Sequence, residues 1–208
     1  MLGNHPNIGQ PQPRGSAVRA GDASQAAICS GANFSIYTVR ELIGVGSTAS
    51  VYRAHDTRLR REVALKVLNT GVLAGAEGLA RFVHEARMAA AVRHPNVVSI
   101  FDVGVHDGTP FIVMELLSGG DLDGRLNTAR ALPERTLVDI AAQLASGLAA
   151  VHDAGVVHRD LRPSNVFLSR GPDGSTQPKL LDFGVSKQTR DNLRLTTHGR
   201  RRWAAMPL

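Results

Sequence analysis

The sequence predicts an α+β fold in two parts: a five-stranded antiparallel sheet interrupted by one helix, followed by a mainly helical unit. Three observations predict it. Short strand-like runs of alternating character occupy the stretch from residue 36 to about residue 115. The one helical stretch within that span is broken by His94-Pro95-Asn96, and beyond Glu115 the apolar residues recur at helical spacing.

The elements follow in order. Residues 1–35 are rich in Gly, Pro, Asn, Gln, Ser and Ala without a sustained period, and are expected to form a disordered tail. Ile36 to Ile43 and Ala49 to His55 read as two strands around the turn glycines Gly44 and Gly46, and Glu62 to Leu68 as a third. A helix is expected from about Leu79 to Val92. Two more strands, Val97 to Val103 and Pro110 to Glu115, meet at the hairpin signal His106-Asp107-Gly108. Asp121 is placed to cap a short helix, and Leu137, Ile140, Ala141, Leu144, Leu148 and Val151 recur at the spacing of a long amphipathic helix. Two short strands are expected around Asn165 to Leu168 and Lys179 to Leu181, joined by a turn at Gly171-Pro172-Asp173-Gly174.

Composition narrows the function. With 208 residues, 43% hydrophobic and 20% charged, the chain has enough apolar side chains for one good core. No apolar run is long enough to span a membrane and the N-terminus lacks the pattern of a signal peptide, so a cytoplasmic location is expected. Cys29 is the only cysteine, which leaves no intrachain disulfide and no cysteine-based metal cluster. The net charge of +6 comes from scattered arginines, and the basic run Arg200-Arg201-Arg202-Trp203 reads as a solvated tail, so no nucleic-acid partner is expected.

Five short motifs carry chemistry. Gly44-Val45-Gly46-Ser47-Thr48-Ala49-Ser50-Val51 is a glycine-rich turn whose backbone can approach phosphates; a strand, not a helix, follows it, which argues against a dinucleotide fingerprint. Val63-Ala64-Leu65-Lys66 ends an apolar alternation on a cation, and Glu85 on the next helix is a carboxylate able to hold that cation. His158-Arg159-Asp160-Leu161-Arg162-Pro163-Ser164-Asn165 and Leu181-Asp182-Phe183-Gly184 supply carboxylate and amide oxygens next to apolar strands. Such donors suit a hard cation such as Mg²⁺ and a base for a hydroxyl nucleophile.

In this order the motifs identify a resemblance, over roughly residues 37–199, to the protein kinase family, and most of all to bacterial eukaryotic-like serine/threonine kinases. The resemblance implies a bilobal fold, with an N-lobe at 36–116, part of a C-lobe at 117–199 and a divergent basic tail at 200–208. It also implies site roles. Gly44 and Gly46 would cover the ATP phosphates, and Val51, Ala64 and Phe167 would sandwich the adenine. Lys66 would bind the α- and β-phosphates and pair with Glu85 when the helix is swung in. Met114 would gate the space behind the base, the backbone of Glu115 and Leu117 would hydrogen-bond it, and Asp121 would lie near the ribose. Asp160 would deprotonate the substrate hydroxyl, Arg162 would contact the γ-phosphate, and Asn165 and Asp182 would hold Mg²⁺. Arg159 would receive a phosphate on Thr196 or Thr197.

The sequence departs from the family pattern in three places. Ala49 replaces the last glycine of the loop, and Arg162 stands where these kinases carry lysine, exchanging a compact ammonium for a planar fork. Pro163-Ser164 is the serine/threonine-like continuation. After Gly199 the family's substrate-docking loop and further helices are not matched, so a catalytic domain truncated in the activation segment is expected, with a complete nucleotide site and an incomplete substrate site. The implied function is transfer of the ATP γ-phosphate to a serine or threonine of a protein substrate, with ATP and Mg²⁺ as cofactors. A nucleotide-binding pseudokinase module and a non-functional kinase fragment are the alternatives, and another kinase or a scaffold is the partner expected to cover the exposed C-lobe.

Overall fold

The computed structural model describes residues 28–69, 75–128, 132–171 and 174–182. Strands β1 (Asn33–Phe34), β2 (Tyr37–Val45), β3 (Ala49–Asp56) and β4 (Arg61–Leu68) precede helix α1 (Gly75–Ala90). Strands β5 (Ile100–His106) and β6 (Thr109–Glu115) complete an antiparallel sheet of order β1-β2-β3-β4-β6-β5. Strand β7 (Gly119–Asp121), helices α2 (Leu122–Thr128) and α3 (Glu134–Asp153), a single 3₁₀ turn at Pro163–Asn165, and strands β8 (Val166–Arg170) and β9 (Thr176–Leu180) follow, with β7, β8 and β9 forming a second antiparallel sheet.

The larger sheet therefore has six strands among the described residues, one more than the sequence predicts. The added strand, β1, lies inside the segment read as a disordered tail. Its cause is one aromatic: Phe34 is buried and meets His106 and Phe111 edge-on at 4.8 and 5.5 Å. Just upstream, the Ile28 N–H donates to the Tyr52 hydroxyl at 3.2 Å. The ordered fold thus begins before Ile36.

Period-2 alternation divides this sheet between two cores. Val63, Leu65 and Val67 of β4 join Tyr37, Val39, Tyr52, Ala54, Phe111 and Val113 on one face. Ala64 and Leu68 join Phe82, Ala86, Ala89, Ile100, Ile112 and Met114 on the other, the face covered by α1. Each large side chain so buried contributes on the order of 1.5–3 kcal/mol. Lys66 shares the parity of Ala64 and Leu68, so the register that builds the core also delivers this lysine to the α1 side.

The β5–β6 hairpin forms as its sequence predicts. Asp107 and Gly108 both adopt positive φ, 47° and 74°, the conformation a two-residue type I′ loop requires. The strand before it is shorter at its start than predicted, because residues 97–99 instead turn toward β9. At the far edge the Tyr37 hydroxyl donates to Asp102 Oδ2 at 2.7 Å, linking β2 to β5 across the sheet. Burial and that carboxylate push the Tyr37 hydroxyl above the ordinary phenol range.

Helix α3 spans more than the predicted 137–151, and its buried stripe differs from the predicted one. Ile140, Gly147 and Val151 are buried and Leu144 and Leu148 pack on the core, whereas Leu137 and Ala141 face solvent. The helix approaches Asn96 so closely that a Cβ at Gly147 would lie 3.0 Å from the Asn96 carbonyl oxygen. Asn96 is itself buried, with Nδ2 donating to the Pro178 carbonyl at 2.8 Å and to Gln143 Oε1 at 3.1 Å. The helix breaker of the sequence is thus also the joint between the two parts of the fold.

Candidate active site

Asp182 follows β9, and two hydrogen bonds fix the residue before it. The Leu181 N–H donates to the Asn165 carbonyl at 2.9 Å, and His158 Nε2 donates to the Leu181 carbonyl at 2.8 Å. His158 is 2% exposed; burial lowers its pKa from 6.5 and so favours the neutral ring, with Nδ1 accepting the Asp160 N–H at 3.4 Å. A single buried imidazole thus ties the start of the 158–165 loop to the strand end that carries Asp182.

Within that loop, Asn165 Nδ2 donates to the Asp160 carbonyl at 2.8 Å and to Asp160 Oδ2 at 3.1 Å. With its amide nitrogen so engaged, Asn165 keeps Oδ1 as an available oxygen donor. Arg162 is exposed and extended, ahead of the 3₁₀ turn. Five non-glycine residues among those described have positive φ. Ser35, Arg60 and Asp107 lie in turns between strands, and the other two are Arg159 at 59° and Asp182 at 53°. Backbone held in this region costs on the order of 1–3 kcal/mol per residue, and such strain concentrates at functional sites.

Lys66 reaches across from β4 and ion-pairs with Asp182 Oδ1. Glu85, the partner that the resemblance assigns to Lys66, instead lies 3.5 Å from Arg159 Nη1. Both pairings satisfy two cations with two carboxylates; α1 is placed so that Glu85 meets Arg159, and the carboxylate that reaches Lys66 is Asp182 beyond β9. Behind these groups Lys66, Phe82, Ile100, Ile112, Met114 and Asp182 line a mostly apolar cavity.

The remaining predicted residues are distributed around this centre. Gly44 pairs with Val51 across the β2–β3 hairpin, and the Gly46 N–H donates to the Ala49 carbonyl at 2.8 Å. Neither glycine has positive φ, and a Cβ at either would meet only ordinary contacts. The hairpin therefore does not require glycine there, and the bare backbone is available for close approach by a ligand. Val51 stands opposite Lys66 and Ala64 opposite Met114 in the ladder. Phe167 lies on β8 between Asp121 and Lys179 in register. Asp121 Oδ1 accepts the Gly124 N–H at 2.6 Å, the cap expected for the short helix. Glu115 and Leu117 lie on the connector between the two sheets. Phe183, Gly184, Thr196, Thr197 and the 200–208 run lie outside the described residues.

The family model described as "Protein kinase domain" matches residues 37–206. The chain belongs to the protein kinase family. Among curated relatives, it is 40% identical over 154 residues to the serine/threonine-protein kinase pkn3 of Myxococcus xanthus, covering 74% of this chain and 28% of that protein. It is 40% identical over 149 residues to the serine/threonine-protein kinase PknL of Mycobacterium tuberculosis, covering 72% of this chain and 36% of that protein. The kinase chain thus spans about a third or less of these relatives' length. Among solved structures, the kinase domain of Mycobacterium tuberculosis PknI superposes with a TM-score of 0.70 at 32% identity, covering 76% of this chain and 64% of that domain. By family the chain is a bacterial-type protein serine/threonine kinase, and the family uses ATP and typically Mg²⁺.

The family match extends past Gly199, where the sequence reading let the resemblance stop. Among the described residues of this kinase, no helix is long and apolar enough to cross a membrane, and no group of three His, Cys, Asp or Glu side chains converges as a metal site. Sequence reasoning assigned no role to Leu181 or His158. The signal for His158 was its place directly before Arg159-Asp160, but its partner, a backbone carbonyl 23 residues away, carries no residue signature.

Proposed function

We propose that the chain transfers the γ-phosphate of ATP to a serine or threonine hydroxyl of a protein substrate. The observation that carries this reading is the tie through Leu181, which holds Asp160, Asn165 and Asp182 at one end of β9, with Lys66 reaching Asp182. Asp160 orients the substrate hydroxyl and takes its proton as the oxygen bonds to the γ-phosphorus and the bond to the β-phosphate oxygen breaks, releasing ADP. Lys66 holds the α- and β-phosphates, Gly44 and Gly46 present bare backbone above them, and Arg162 contacts the γ-phosphate. Val51, Ala64 and Phe167 hold the adenine.

Asn165 Oδ1 and the Asp182 carboxylate are hard oxygen donors of the kind that would hold Mg²⁺. When bound, Mg²⁺ supplies charge neutralisation at the transferring phosphates. For Lys66 and Asp182 to serve these roles, their mutual ion pair opens, and Lys66 then has Glu85 as its alternative partner. A phosphate on Thr196 or Thr197 would then compete with Glu85 for Arg159.

The arrangement with Glu85 on Arg159 and Lys66 on Asp182 is also compatible with a second reading, a nucleotide-binding module without transfer activity. Leu137 and Val138 on α3, and Val157 and Leu161 beyond it, are exposed apolar side chains that a kinase or scaffold partner would cover. Incubation with γ-labelled ATP and a library of serine- and threonine-containing peptides separates the readings. Label recovered as phosphoserine or phosphothreonine, and lowered about 10²–10⁴-fold by Asp160→Asn, is the expected outcome. Nucleotide binding without labelling supports the second reading.

A further inference from the structure

Both ends of the connector between the two sheets are clamped. At its start, Glu115 Oε1 accepts the Ser99 N–H at 2.7 Å and Lys179 Nζ at 2.9 Å, and Oε2 accepts Lys179 Nζ at 3.1 Å. The Glu115 N–H donates in turn to the Ser99 carbonyl at 3.0 Å. At its end, the Ser118 carbonyl accepts the Arg170 N–H at 2.8 Å. Between the clamps, the N–H and C=O of Leu117 make no hydrogen bond to another described residue.

Lys179 is an unusual group for its position. It is 9% exposed, on a strand whose neighbours Pro178 and Leu180 are buried, and it precedes Asp182 by three residues. The peptide segment it helps to bind is also laced to β9: the Leu180 N–H donates to the Asn96 carbonyl at 2.8 Å and the Val98 N–H to the Leu180 carbonyl at 3.0 Å. One carboxylate thus joins the end of β6, the 96–99 segment and β9.

We propose that the Glu115–Lys179 ion pair is a positioning device that fixes the connector backbone against β9 and thereby sets selectivity for adenine over guanine. It rests on the nucleotide-site reading above. Between the clamps the connector offers a purine the backbone N–H and C=O of Leu117. Adenine presents an amino donor and a ring-nitrogen acceptor on its outer edge, whereas guanine presents a carbonyl acceptor and a ring N–H donor. A backbone held in one register matches the first pattern and opposes the second, and a backbone free to shift discriminates less. The side chains of Glu115 and Lys179 act through the backbone and need not touch the base.

The test is the ratio of Kd for GDP to Kd for ADP, measured by calorimetry on the full chain and on Lys179→Met, Lys179→Arg and Glu115→Gln. Because any unfolded fraction divides out of a ratio, a purely structural role leaves it unchanged. Glu115→Gln keeps an acceptor for the Ser99 N–H and is the milder variant should Lys179→Met fold poorly. The expected result is a ratio lowered roughly tenfold in Lys179→Met, a smaller loss in Glu115→Gln, and partial retention in Lys179→Arg. A parent that discriminates and variants that discriminate equally well overturn the inference alone. A parent that binds neither nucleotide overturns the nucleotide-site reading and this inference with it.

Discussion

The Glu85 carboxylate lies 3.5 Å from the Arg159 guanidinium, while Lys66 pairs with Asp182. Two cations and two carboxylates are therefore partnered differently from the Lys66–Glu85 pair expected for a helix swung in. Glu85 and Arg159 keep 25% and 41% side-chain exposure, so solvent screens their attraction and the pair is worth about 0–1 kcal/mol. An interaction this weak can be exchanged for a nucleotide-bound arrangement at little energetic cost. Arg159→Gln is expected to change the unfolding free energy by less than about 1 kcal/mol in urea titrations. A loss well above that would mean the pair is a structural lock.

His158 makes stability pH-dependent. Its folded pKa lies below 6.5 because burial penalises the imidazolium, so as pH falls the unfolded chain takes up this proton first. The contribution is fully present above pH 6.5, and it is lost as pH falls from there through the lowered folded value. Melting temperatures measured between pH 7.5 and 5 are expected to fall more steeply for the parent than for His158→Phe. The variant begins less stable at the upper end, having lost the bond to the Leu181 carbonyl. Parallel curves would remove His158 as the titrating group.

Leu180 is fully buried and carries both backbone bonds that lace β9 to residues 96–98. Leu180→Ala keeps those bonds but leaves a cavity next to the site, and is expected to cost about 2–5 kcal/mol. Denaturant midpoints at unchanged slope measure it. A cost below about 1 kcal/mol would mean that this part of the core collapses readily around the gap.

Much of the site was legible because its residues are close together in sequence or sit at fixed distances from a chain feature. His158 to Asn165 fall within eight positions, the Lys66 parity follows from the β4 alternation, and Asp107-Gly108 dictates its own turn. Partners far apart in the chain were not legible. The exchange that pairs Glu85 with Arg159 depends on where α1 sits against the 158–165 loop, and helix placement is a packing outcome without a local code. Leu137 and Ala141 fit the helical period but face solvent, because period reveals a stripe and not which edge of it finds a partner. β1 was hidden in a composition typical of disorder, and only the Phe34 ring distinguishes it.

Lys66 and Asp182 are the two sides of the proposed nucleotide site. The most direct measurement is the melting temperature of the full chain with and without Mg-ATP, beside Lys66→Met and Asp182→Asn. At a nucleotide concentration about 100 times Kd the parent should gain roughly 2.7 kcal/mol, a rise of several degrees, and both variants should lose most of it. A parent that melts identically with and without Mg-ATP, or variants that keep the full shift, would contradict the assignment of this site.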